Sequence, residues 1–385
     1  MPVSPSIEAT QQLRAVSLPS GELEIRVARA DLPLDTLCGF ATRRNPKRGY
    51  LFVSRVLGRH LPVRPAAMRD VHRRLAAKIA ADLPGPVVAI GMAETAVCLG
   101  QGVHEEYLRR TGRTDVLFLH TTRFRLRQPV AFDFLEEHSH ASDHIVYEPL
   151  DESDRELMRT ARSLILIDDE ASTGKTFLNL ARAFAHQNPG LERVVSVVIT
   201  DWMGDANSSR FVQTMPVASE VVSILEGELR FAPSATSTAV DAPNVVGNGG
   251  FKDHLIRRND GRLGRRDLVN VPEQVFDAIS VRAGERVLVL GTAEFVYLPY
   301  RLAEELDRRG AEAWCAATTR SPIQPGPEIA STLTFADNYQ DEIPNFLYNV
   351  RAGQFDRVFV CYETPVTTVQ ADLVRELSAT PVLFE

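Results

Sequence analysis

Ser163-Leu164-Ile165-Leu166-Ile167-Asp168-Asp169-Glu170-Ala171-Ser172-Thr173-Gly174-Lys175-Thr176 is the stretch on which the reading of this chain turns. Leu164–Ile167 is an unbroken apolar run of strand length, and Phe177, Leu180, Ala181, Phe184 and Ala185 follow at helical spacing. Two adjacent carboxylates, Asp168 and Asp169, leave the strand's carboxyl end, and small residues then make a tight turn. Gly174 lets the backbone turn closely. The helix beyond it presents unpaired N–H groups and the positive end of its dipole, and the hydroxyls of Ser172, Thr173 and Thr176 add donors beside Lys175. Such a turn cradles a monophosphate, and the acidic pair suits vicinal sugar hydroxyls with a magnesium ion nearby. The plainer alternative is that Asp168 and Asp169 cap a helix and hold a salt bridge. An ATP-binding P-loop is excluded, because the glycine it needs five positions before Gly174 is Asp169 here.

Outward from this stretch, short apolar runs alternate with helix-length segments. Val87–Ile90, Asp115–His120 and Val194–Ile199 read as further strands, with a helix over Glu94–Arg110. Strands separated by helices imply right-handed crossovers and a mostly parallel sheet covered on both faces. Ligands then sit beyond the carboxyl ends of the strands, after Ile90, His120, Ile167 and Ile199. Residues 226–266 are rich in turn formers and read as a linker with at most a hairpin. A second, smaller Rossmann-like α/β domain is expected over 267–385. Its strands are Val287–Leu290, Glu312–Ala316, Arg357–Cys361 and Pro381–Phe384, and its helices Tyr297–Arg309 and Val366–Leu377. The first domain is expected over 33–225, after an N-terminal extension, 1–32. Gly291-x-x-Glu294 is not a dinucleotide fingerprint, so no NAD is expected.

At 385 residues the length fits two domains, and 44% apolar with 24% charged residues is ordinary globular usage. No apolar run spans a bilayer, and the first residues lack a basic segment followed by an apolar one, so neither membrane insertion nor a secretory signal is expected. Four dispersed cysteines without a CxxC pair argue against a disulfide scaffold or a cysteine-rich zinc site and suit a reducing cytoplasm. A net charge of −7 weighs against nucleic acid as the general partner. Between Arg43 and Lys78, however, eleven basic residues face a single acid, Asp70. That block reads either as an anion site or as a solvated helix face with scattered charge.

The acidic pair, the Ser/Thr-Thr-Gly-x-Thr turn and their strand–turn–helix setting resemble the phosphoribosyl pyrophosphate (PRPP) signature of type I phosphoribosyltransferases. The likeness extends to Asn45-Pro46-Lys47-Arg48, Gly91–Ala96, His120–Arg123 and His138-Ser139-His140, which look like an orotate-phosphoribosyltransferase-like bacterial family fused to a TRSP domain. The motif that names that domain stands here as Thr319-Arg320-Ser321-Pro322. Genes of that family tend to lie near tellurium-resistance-type clusters.

The resemblance implies displacement at the ribose C1 of PRPP with Mg²⁺ as cofactor, a nitrogenous ring as acceptor and pyrophosphate as leaving group, or the reverse reaction. It implies that Asp168 and Asp169 hold the ribose hydroxyls and the metal, and that Ser172–Thr176 hold the 5′-phosphate. Ala93, Glu94 and Thr95 would form the pyrophosphate turn, although the Glu94 carboxylate opposes that anion unless it faces magnesium or the helix dipole. Arg123 would be delivered to the pyrophosphate by a lid running to about Asp143, with Val130–Leu135 as a strand within it and Arg125 and Arg127 as hairpin charges. His138 and His140 read either as proton carriers or as solvated loop histidines. Trp202 would stack on a flat ring or plug the end of the sheet. Lys47, Arg48, Thr319 and Arg320 are candidates for the acceptor or a second site. Type I enzymes are commonly homodimers. The reading from another class is a PRPP-sensing regulator that binds nucleic acid without turnover, with the basic block as its support.

Overall fold

Runs such as Val87–Ile90 and Leu164–Ile167 have no polar face, so each must be covered above and below, and that requires parallel strands flanked by helices. The computed structural model describes residues 12–43, 49–134, 144–234, 249–258, 261–365 and 371–384. Lys47, Arg48, His138, Ser139 and His140 lie outside the described residues.

The chain begins with strands β1 (Gln12–Leu18) and β2 (Gly21–Ala30), a short helix α1 (Leu34–Leu37), and strands β3 (Cys38–Thr42) and β4 (Tyr50–Ser54). Helix α2 (Pro65–Lys78), β5 (Val87–Gly91), α3 (Val97–Thr111) and β6 (Val116–His120) follow. Next come β7 (Val130–Phe134), β8 (His144–Tyr147), α4 (Glu152–Arg159), β9 (Ser163–Ala171) and α5 (Lys175–Gln187). Strand β10 (Arg193–Asp201), helix α6 (Gly204–Thr214) and strand β11 (Ala218–Pro233) complete the first domain. The seven-stranded sheet has the order β1-β2-β11-β10-β9-β5-β6. β6, β5, β9, β10 and β11 are parallel, and β2 and β1 add an antiparallel edge.

The second domain holds α7 (Glu273–Asp277), β12 (Arg286–Gly291), α8 (Tyr297–Arg308) and β13 (Glu312–Ala317). A hairpin of β14 (Thr332–Ala336) and β15 (Pro344–Tyr348) precedes β16 (Arg357–Tyr362), α9 (Ala371–Glu376) and β17 (Thr380–Leu383). Its parallel sheet has the order β13-β12-β16-β17.

Three sequence expectations change. The residues assigned to an N-terminal extension build two strands of the sheet, because Leu23, Ile25 and Val27 alternate inward and bury. The expected boundary at 225 falls inside β11, which pairs with β2 as far as Pro233. The expected linker is partly structural: Arg265 exchanges backbone hydrogen bonds with Phe118 and covers the edge of β6, and Arg262 is 1% exposed. The two domains also share a core, in which Met68, Val97 and Cys98 pack with Val289, Val296 and Cys315. No helix among the described residues is long and apolar enough to cross a membrane.

Candidate active site

In strand order the parallel part of the first sheet runs second, first, third, fourth, fifth (β6-β5-β9-β10-β11), so its topological switch lies between β5 and β9. A ligand crevice is expected above those two carboxyl ends. The carboxyl-terminal part of β9 carries the acidic pair, and the turn after β5 carries Ala93-Glu94-Thr95.

Strand β9 runs further than the apolar residues alone predict. Pairing with β10 continues through Val198 opposite Asp168 and Asp201 opposite Ala171. Both carboxylates therefore ride on a rigid central strand, half-buried, and the Asp169 amide donates to Asp168 Oδ1 at 2.9 Å. Ser172 and Thr173 are exposed, and Gly174 adopts φ +69° ahead of α5. A Cβ there would stand 2.5 Å from the Phe211 ring, so the left-handed turn and its packing both require glycine. Gly174 has no side chain to cap α5, whose first amide reaches Thr173 Oγ1 at a long 3.4 Å and whose Phe177, Leu180, Ala181 and Phe184 are buried. An anchored helix thus offers an uncapped amino end beside exposed hydroxyls and Lys175, which is the arrangement that receives a phosphate.

Across the crevice, the turn after β5 is fixed by hydrogen bonds. The Met92 amide donates to Ile167 O at 2.9 Å, and the Ala93 amide to Thr121 Oγ1 at 2.8 Å. The expected helix from Glu94 begins instead at Val97, because Glu94 is held by Arg59. Arg59, 3% exposed, lies 3.0 Å from Glu94 Oε1 and donates to Glu94 O at 2.7 Å. It also donates to Ala293 O and Thr318 O of the second domain, at 2.9 and 2.7 Å. The partner of the awkward carboxylate is therefore an arginine rather than a helix dipole.

As far as Phe134, where the described residues of the segment after β6 end, the chain is docked. Thr122 Oγ1 donates to Glu294 Oε2 at 2.6 Å, and the Arg123 amide donates to Glu294 Oε1 at 2.9 Å. Phe124 stacks on Tyr339 at 4.1 Å between ring centres. The Arg127 amide bonds to Asp253, and β7 pairs with β8, so Val130–Phe134 is a hairpin strand as expected.

The second sheet repeats the same strand order, with its switch between β12 and β16. That crevice is occupied by the chain itself. Arg262 makes two 2.7 Å bonds to Glu363 and one of 3.2 Å to Glu294, and Tyr339 donates to Glu363 at 2.7 Å. Burial pushes the Glu294 carboxyl upward, but Arg262, His120 and Thr122 outweigh it and hold the group below its ordinary value. Thr319 is buried and pairs with Phe346 through its backbone. Arg320 reaches toward the first domain, with Nε 4.0 Å from Glu94 and Nη2 3.9 Å from Asp341.

Two further expectations are corrected. Trp202 is 3% exposed and stacks on Phe52 at 5.1 Å and 5°, so it plugs the end of the sheet and cannot stack on a ligand. Among the described residues of the basic block, six are engaged by carboxylates: Arg55 pairs with Glu328, Arg59 with Glu94, Arg64 with Asp307, Arg69 with Glu106 and Glu304, Arg74 with Asp70 and Lys78 with Asp31, while Arg44, Lys47 and Arg48 lie outside the described residues. Three of these arginines, Arg55, Arg64 and Arg69, meet acids of the second domain. Sequence reasoning missed Arg262, Glu294 and Glu363; a buried pairing between residues so far apart leaves no local spacing.

Among the described residues, no group of three or more His, Cys, Asp or Glu assembles that could hold a metal by itself. The half-buried Asp168–Asp169 pair offers hard oxygen ligands, which fit a Mg²⁺ ion completed by substrate oxygens and water.

Residues 37–228 match a family described as phosphoribosyl transferase, and residues 259–377 match the TRSP domain that lies C-terminal to it. Similar solved structures include adenine phosphoribosyltransferase from Rhodothermus marinus, 17% identical, covering 49% of this chain and 95% of that one with a TM-score of 0.31. The Giardia lamblia adenine enzyme, complexed with 9-deazaadenine, is 17% identical over 49% of this chain and 94% of its own, with a TM-score of 0.32. A Staphylococcus aureus hypoxanthine phosphoribosyltransferase is 13% identical over 38% of this chain and 69% of its own, with a TM-score of 0.25. No curated relative matches the chain.

Proposed function

This chain belongs to the phosphoribosyl transferase family and carries that family's C-terminal TRSP domain, and on that premise we propose that it transfers ribose 5-phosphate from PRPP to a nitrogenous ring acceptor. The observation that carries the reading is the pair of half-buried carboxylates on β9, one turn before the uncapped amino end of α5.

In this reading the ribose hydroxyls donate to Asp168 and Asp169. The 5′-phosphate accepts from the first amides of α5 and from the hydroxyls of Ser172, Thr173 and Thr176. The sugar's C1 then faces the turn Ala93–Thr95, whose amides and Thr95 hydroxyl receive the pyrophosphate. As the C1–oxygen bond breaks, its electron pair leaves with pyrophosphate, and a ring nitrogen of the acceptor forms the new bond. Donors fixed in advance at that turn stabilise the charge that develops there. Asp168 and Asp169 would hold Mg²⁺, which would supply positive charge against the leaving group. Pyrophosphorolysis runs through the same groups in reverse.

Incubating the protein with PRPP, Mg²⁺ and a metabolite extract tests this. One compound should gain the mass of ribose phosphate as pyrophosphate appears. Absence of both, together with no calorimetric binding of PRPP, overturns the reading.

A further inference from the structure

Three buried or largely buried arginines, Arg59, Arg262 and Arg320, differ in how their donors are used. Arg59 is saturated by Glu94, Ala293 O and Thr318 O. Arg262 is saturated by Glu363 and Glu294. Those two guanidinium groups are structural pins.

Arg320 is different. Its side chain is 11% exposed, yet its carboxylate neighbours are Glu94 at 4.0 Å and Asp341 at 3.9 Å, both beyond hydrogen-bond range. Its Cζ lies over the Phe124 ring, 5.0 Å from the ring centre, a cation–π contact that is not a hydrogen bond of its N–H groups. A largely desolvated cation with poorly engaged donors is costly unless something charge-complementary meets it. Asp341 does not supply that partner, because its other oxygen is bound by Lys252 at 2.6 Å. Glu94 is already taken by Arg59 at 3.0 Å.

We propose that Arg320, contributed by the second domain, is a ligand of the pyrophosphate group held at the turn Ala93–Thr95 of the first. The assignment rests on the PRPP reading above and extends it: the C-terminal domain is part of the active site and supplies a cation to the pyrophosphate. It also accounts for Glu94, whose charge is balanced by Arg59 on one side, leaving Arg320 for the ligand.

Calorimetry on the full chain separates this from the parent reading. Ribose 5-phosphate reports the α5 turn, and inorganic pyrophosphate with Mg²⁺ reports the turn after β5. R320A should bind ribose 5-phosphate within about twofold of wild type and pyrophosphate about ten- to hundredfold more weakly, the loss typical of charge-assisted hydrogen bonds. R320K should recover part of the loss, since it keeps the charge without the planar fork. It decides the matter should R320A not fold. Unchanged pyrophosphate affinity in a variant that still binds ribose 5-phosphate overturns the proposal, and so does a wild type that binds ribose 5-phosphate but no pyrophosphate. A wild type that binds neither overturns the PRPP reading itself.

Discussion

Arg59 Nη1 lies 3.0 Å from Glu94 Oε1, and the same nitrogen donates to the carbonyls of Ala293 and Thr318, so one guanidinium ties the turn after β5 to two turns of the second domain. With apolar residues of both domains in one core, rigid-body motion between them is not the expectation here. Arg59→Met removes the cation and leaves Glu94 and two buried carbonyls without it. Destabilisation of about 3–5 kcal/mol is expected, as for other broken buried pairs. Denaturant unfolding checks this, and wild type should unfold in a single transition. A second transition in the wild type would show that the domains are energetically separate.

Asp168 and Asp169 lie within β9, which β10 holds in register through Ala171 and β5 as far as Ile167, so their side chains can change without disturbing the fold. Asp168→Asn combined with Asp169→Asn keeps size and shape and removes both charges. Turnover of PRPP should fall by at least about a hundredfold, the scale of losing a preorganised electrostatic group, while the thermal midpoint stays within a few degrees. Undiminished pyrophosphate release would remove this pair from the site.

Gly174 is constrained twice, by φ +69° and by the Phe211 ring 2.5 Å from where a Cβ would stand. Gly174→Ala should destabilise by about 1–3 kcal/mol, combining left-handed backbone strain with overpacking. It should also weaken ribose 5-phosphate binding. Adding Phe211→Ala relieves the clash but not the backbone strain. The double variant should therefore recover binding only in part, and full recovery would mean that packing alone demands the glycine.

How much of this was legible in the sequence depends on whether the signal is local. The β9–α5 segment could be read because apolar run, acids, glycine and helical spacing stand in one short stretch. The β1–β2 edge was equally local: Leu23, Ile25 and Val27 alternate with Glu22, Glu24 and Arg26, yet the segment was assigned to an extension. The role of the basic block was not local. Arg55, Arg64 and Arg69 read as a positive field until Glu328, Asp307 and Glu304, more than two hundred residues away, are brought against them. Trp202 shows the same limit, since stacking on a ligand and stacking on Phe52 ask for the same residue type.

Asp201 ends β10 beside the turn that follows β9, and it is 4% exposed. Burial pushes its carboxyl from 3.8 up to about 6, with the Met203 amide, which donates to its Oδ1 at 2.9 Å, pulling the other way and Glu226 adding to the rise. Between pH 3.8 and about 6 the folded state then binds more protons at this site than the unfolded state, so stability falls as pH rises through that window. Above it the penalty is complete, at most about 3 kcal/mol at 1.36 kcal/mol per unit. Asp201→Asn retains an oxygen for the Met203 amide and cannot ionise. Its gain in stability over wild type should be full at pH 7–8, shrink below about pH 6 and vanish only well below pH 3.8, where the carboxyl is neutral in both states. Thermal melts of the pair across this range check the sign: a gain that grows on acidification would mean that Asp201 is held ionised, with a charged partner stabilising it in the fold.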